Sequence, residues 1–84
     1  MGVYVDSLMN HGWKLGKSCH MYADSEPELD RFAESIGLKK WMKQISRSGI
    51  IHYDLVESKR KKAIEKGAME LTGRQIIEYL KEKL

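Results

Sequence analysis

Residues 50–68 read IIHYDLVESKRKKAIEKGA, and their interpretation decides the fold. The apolar opening and the aromatic residue of IIHYDL fit a strand. Side chains alternate along a strand, so Ile51, Tyr53 and Leu55 take one face and His52 and Asp54 the other. SKRKKAIEKG then reads as a short helix, with Ser58 as its N-cap and Gly67 as its stop. A strand running straight into a helix is the repeating unit of α/β structure.

The same alternation extends to both sides. VYVD, residues 3–6, reads as a first strand and SCHMYAD, residues 18–24, as a second. SLMNHGWKLGK between them has no consistent period and reads as a loop. SEPELDRFAESIGL reads as a helix: Ser25 and Glu28 have capping-box spacing, Pro27 suits the first turn, and Gly37 can end it. Leu29, Phe32, Ala33 and Ile36 share one face of that helix. KKWMKQISRSG reads as a helical turn entering a loop, with Trp41 and Met42 as a flap over the core rather than a binding platform. AMEL reads as a short last strand. TGRQIIEYLKEKL reads as a final helix, boxed by Thr72 and Gln75, with Ile76, Ile77, Leu80 and Leu84 as its buried stripe.

These elements predict one compact α/β domain over residues 1–84. Its sheet should have three or four strands, mostly parallel, packed with about three helices. Phe32, Ile36, Ile51, Leu55, Ile76 and Leu80 should be buried together.

Composition narrows the function classes. Fifteen Lys plus Arg against 12 Asp plus Glu give a net charge of +3, too mild for a dedicated nucleic-acid protein. A single cysteine, Cys19, cannot pair within the chain and fits a reducing cytoplasm. The start MGVYVDSL has no signal-peptide pattern, Asp6 stands where myristoylation needs a hydroxyl, and no apolar run is long enough to span a membrane. At 84 residues the margin of burial is thin, so homo-oligomerisation is a candidate source of stability.

Three predicted strands end in aspartate: Asp6, Asp24 and Asp54. Asp24 adjoins Ser25 and suits helix capping. In a parallel sheet the carboxyl ends gather ligands, so Asp6 and Asp54 should meet there, with His20 and His52 one pleat further in. Two carboxylates and two imidazoles can hold a divalent metal, or act as acid and base on a phosphoester. A histidine in contact with a carboxylate should have a raised pKa. Ser58, Lys59 and Arg60 add free backbone N–H groups and two cations, which suit an anion. The alternative is that Lys59 to Lys62 form a solvated face paired with Glu57 and Glu65.

VYVD, CHMYADS with ELDRFAESIGL, HYDLVESKRKKAIEKGA and TGRQIIEYLKEKL together resemble an uncharacterised bacterial and phage family, number 4031 among the domains of unknown function. The likeness covers nearly the whole chain. It matches Asp6, His20 and the triplet His52, Tyr53, Asp54, and implies one compact domain with a polar site but no reaction. Many members carry a second acid or a proline after the first aspartate; Ser7 stands here, against a two-carboxylate site at that end.

The expected ligand-binding set is therefore Asp6, His20, His52, Tyr53, Asp54, Ser58, Lys59 and Arg60. The first functional expectation is binding of a nucleotide or other phosphorylated small molecule, including phage sequestration of a signalling nucleotide. The alternatives are a metal-dependent phosphodiesterase or nuclease, and an interaction module for an acidic partner or nucleic acid. Whether the chain is an enzyme stays open at this point.

Overall fold

The computed structural model describes residues 2–13 and 16–83. In chain order these form β1 (Val3–Val5), β2 (Met9–Trp13), β3 (Gly16–Ala23), α1 (Glu26–Ser35), a 3-10 turn (Lys40–Met42), β4 (Lys43–Ile45), β5 (Ile51–Val56), α2 (Glu57–Glu65), β6 (Met69–Glu70) and α3 (Gly73–Lys83).

The sheet has six strands in the order β4-β5-β3-β1-β6, with β2 also paired to β3. Every pairing is antiparallel except β1 with β6. This corrects the expected three or four mostly parallel strands. Both expected crossover helices exist, but neither returns the chain to a neighbouring position. α1 carries it from β3 to β4, which runs in the same direction as β3, and a turn over residues 46–50 then sends β5 back between them. α2 carries it from β5 to β6, beyond β3 and β1. β5 fills the first gap antiparallel to both neighbours, and β3, antiparallel to β5 and β1, lies in the second.

Two strands had no sequence signal. β2, inside the segment read as a loop, pairs with the first half of β3. β4 lies on the outer edge of the sheet, after the 3-10 turn. β4 has no buried residue, so it does not alternate in sequence.

Local chemistry sets the helix ends. The Ser25 hydroxyl accepts the Glu28 N–H at 3.3 Å, the expected cap of α1. Gly37 then reverses the chain at φ +87°, and a Cβ there would sit 2.9 Å from Lys59 Nζ. That ammonium donates to the Ile36 carbonyl at 2.8 Å, placing a cation at the α1 carboxyl end. α2 begins two residues before the expected place: Val56 occupies the cap without a side-chain bond, and Ser58 lies exposed in the first turn. At α3, the Thr72 N–H donates to Gln75 Oε1 at 2.8 Å and the Gln75 N–H to Thr72 Oγ1 at 3.2 Å, the expected box.

The core has two parts. On one face of the sheet, α1 and α2 enclose Val5, Cys19, Met21, Leu29, Ile36, Tyr53 and Leu55. On the other face Tyr22, Ile50 and Ile76 form a smaller cluster, edged by Leu71, Tyr79 and Leu80. The expected single cluster is thus split. Ile36 and Leu55 are buried with Phe32 and Ile51 at their rim, whereas Ile76 and Leu80 lie across the sheet. Ile77 is exposed, and Leu84 falls outside the described residues. Trp41 is no core flap: it is 79% exposed, and only Met42 packs against the main core. Among the described residues, no helix is long and apolar enough to cross a membrane.

Candidate functional site

β3 is the axis of the site. Its His20 stands opposite Asp54 of β5 in the antiparallel register, and Val5 of β1 stands opposite Met21. The next residue of the first line, Asp6, therefore falls beside His20, and its N–H donates to the His20 carbonyl at 3.2 Å. His20 is flanked by one carboxylate from each side. His52 lies two residues before Asp54 on β5, so it shares that face.

The histidines meet edge to face, with ring centroids 5.2 Å apart. His20 Nε2 lies 3.6 Å from Asp54 Oδ1, and His52 Nε2 lies 3.7 Å from the same oxygen. These separations exceed hydrogen-bond length. One ligand atom from each of His20, His52 and Asp54 falls within 4.8 Å of the others. Among the described residues no hydrogen bond reaches the Asp54 carboxylate, although its side chain is only 20% exposed.

The remaining ring nitrogens are occupied. His20 Nδ1 lies 2.9 Å from Asp6 Oδ2, and His52 Nδ1 lies 3.1 Å from the Ile50 carbonyl. Both oxygens can only accept, so in each neutral ring the proton sits on Nδ1 and the Nε2 lone pair faces Asp54. Asp6 also uses its second oxygen: Oδ1 accepts the His20 backbone N–H at 2.6 Å, in the gap between β1 and β2. The carboxylate thus stands in for a backbone carbonyl in the ladder and fixes the His20 ring.

The Asp6 hydrogen bond raises the His20 pKa above its ordinary value; burial opposes it, and the charges of Asp6 and Asp54 add to it. Tyr22, two residues along the same face, has its phenol pushed up to about 12, mainly by burial and then by Asp6 and Asp54.

The other expected residues go elsewhere. Tyr53 points to the α1 side and donates to Asp30 Oδ1 at 2.9 Å. Ser58 is exposed, and Lys59 is turned toward α1. Arg60 reaches the margin of the site: its Nε donates to the Asp6 carbonyl at 2.9 Å, and its Nη2 to Glu70 Oε1 at 3.1 Å. Asp24 does not cap α1. It accepts hydrogen bonds from Tyr4 at 3.2 Å and Tyr79 at 3.3 Å. The sequence reading missed Gln44, which stands directly opposite His52 in the β4–β5 register and is exposed on its face. Only recognition of β4 as a strand would have revealed it.

A family model described as a protein of unknown function (DUF4031) matches residues 3–83. The searches of curated proteins and of solved structures found no match.

Proposed function

The chain belongs to the DUF4031 family, whose description assigns no activity, and from the site alone we propose a metal-dependent hydrolase acting on phosphoesters, with His20, His52 and Asp54 as the metal ligands. One observation carries the reading. Both imidazoles have Nδ1 engaged by an acceptor, while both Nε2 atoms converge on a carboxylate that accepts no hydrogen bond among the described residues. Metal-binding histidines have this arrangement, with a carboxylate or a carbonyl behind the ring.

The donor set selects the metal class. Two imidazoles and one carboxylate suit Zn²⁺, Fe²⁺ or Mn²⁺ better than Mg²⁺ or Ca²⁺, which prefer oxygen. Ligand atoms about 2.0–2.2 Å from a tetrahedral ion lie about 3.3–3.6 Å apart, so the imidazole-to-carboxylate gaps would need little adjustment. Three protein ligands leave a position for water, and a metal lowers the pKa of bound water enough to make a nucleophile near neutral pH. The His20 side chain is 34% exposed, which leaves an approach for substrate. The nucleotide-pocket reading loses support because Ser58 and Lys59 face away from the histidines.

Thermal melting with Zn²⁺, Mn²⁺, Mg²⁺ or a chelator tests the binding. Zn²⁺ or Mn²⁺ at a hundredfold excess over Kd should stabilise the fold by about 2.7 kcal/mol, with little effect from Mg²⁺. His52→Ala and Asp54→Asn should abolish the response. A wild-type protein indifferent to all three metals, or variants that still respond, would refute the site. Turnover of a phosphodiester chromogen by the loaded protein, absent from both variants, tests the hydrolysis.

A further inference from the structure

The β4 edge carries a second group of residues that the metal centre does not use. Residues 35–53 contain no Asp or Glu but hold Lys39, Lys40, Lys43 and Arg47. The Lys43 ammonium is held by Glu26 and Asp30. Lys39, Lys40 and Arg47 are exposed, and among the described residues no ion pair reaches them. Between these cations Trp41 is 79% and Ile45 68% exposed. The Trp41 indole, next to Lys40 in the chain and left in water, contributes nothing to the core.

The edge joins this patch to the metal centre. β4 is the outermost strand, with one side unpaired. Gln44 faces His52 across the β4–β5 ladder, and its side chain makes no hydrogen bond among the described residues. Trp41 precedes Gln44 by three residues, about 10 Å of chain at full extension.

The charge pattern selects the occupant. Edge-to-edge pairing of two copies would set Lys39, Lys40 and Arg47 of one against those of the other, and lysines on an edge strand normally prevent such pairing. A polyanion with exposed aromatic faces meets every feature: phosphates for the cations, a base for the indole, and a polar edge for the Gln44 amide. In a duplex the base faces are already stacked, so the strand must be single. We propose that the β4 edge binds single-stranded nucleic acid and leads it past Gln44 to His52 and Asp54. The delivery to a reacting centre rests on the metal-hydrolase reading; the binding does not.

Fluorescence anisotropy tests it, with a short labelled oligonucleotide of mixed sequence, as single-stranded DNA, single-stranded RNA and duplex, at low salt with chelator. The intact protein should bind the single strands more tightly than the duplex. Trp41→Ala should weaken binding about tenfold or more, because the stacked base is lost. Lys39→Ala with Lys40→Ala should flatten the salt dependence by a slope of about 1.4 for two phosphate contacts. Lys62→Ala, which removes an exposed cation of α2 away from this edge, should bind normally. Binding unchanged in Trp41→Ala, or a preference for duplex, would overturn the proposal. So would a dimer in sedimentation that Trp41→Ala dissociates, since the edge would then serve self-association. A metal-induced rise in melting temperature without oligonucleotide binding would sink this proposal and leave the metal centre standing.

Discussion

Asp6 serves the fold and the site with one carboxylate. One oxygen completes the β3 ladder and the other orients His20. The two roles can be separated. Asp6→Asn keeps one acceptor oxygen but loses the charge behind the ring. It should leave the fold in place and weaken Zn²⁺ binding about 10- to 100-fold, the usual cost of losing such a partner, as measured by calorimetric titration. Asp30 gives a prediction about pH. Burial pushes its carboxyl up, but hydrogen bonds from Lys43 and Tyr53 outweigh this and hold its pKa below the ordinary 3.8. A depressed folded-state pKa contributes stability that is complete above the unfolded value and is lost as pH falls through the folded one. Wild type should therefore lose stability on acidification below 3.8, and Tyr53→Phe should lose less over that interval. Denaturant melts at a series of acid pH values measure both. Legibility at this scale followed strand period. His20, His52 and Asp54 share a face because side chains alternate, and the same rule puts Tyr53 opposite. Ser58 and Lys59 were misplaced because helix α2 starts two residues early, and two residues turn a helical side chain by about 200°.

Of the two crossover helices, α1 was legible from its cap, stop and apolar stripe, and α2 from its glycine stop. Of the strands they lead to, β6 was read from AMEL, whereas β4 was not, because an edge strand without a buried face leaves no pattern. The two halves of the core should respond unequally to truncation. Leu55 is fully buried between α1, α2 and the sheet, and Leu55→Ala should cost about 2–5 kcal/mol. Phe32 lies only at the rim, so Phe32→Ala should fall short of the usual 3–5 kcal/mol or so for a buried phenylalanine. Ile76 anchors α3 to the smaller cluster. Ile76→Ala should speed amide hydrogen exchange throughout α3 and leave β3 and β5 protected. Equal acceleration in all three elements would mean that α3 and the main core open as one unit.

Across the whole molecule, helices cover one face of the sheet, and α3 covers only part of the other. The cluster of His20, His52 and Asp54 occupies the face that carries α3, beyond its cluster with Tyr22 and Ile50. That division was not legible, because it depends on which strands neighbour β3. The pairing of β3 with β5 also has a consequence for rates. β2 and β3 form a local hairpin, but β3 meets β5 only after the chain from residue 24 to residue 50 has closed into a loop. Loop closure of this kind is slow, because chain entropy is lost before the contacts form. His20 lies at one end of the loop, and His52 and Asp54 at the other. The three ligand atoms therefore converge only after closure, and an ion bound there should act after the folding barrier rather than before it. Zn²⁺ should lengthen the lifetime of the native state in stopped-flow unfolding and leave the refolding rate nearly unchanged.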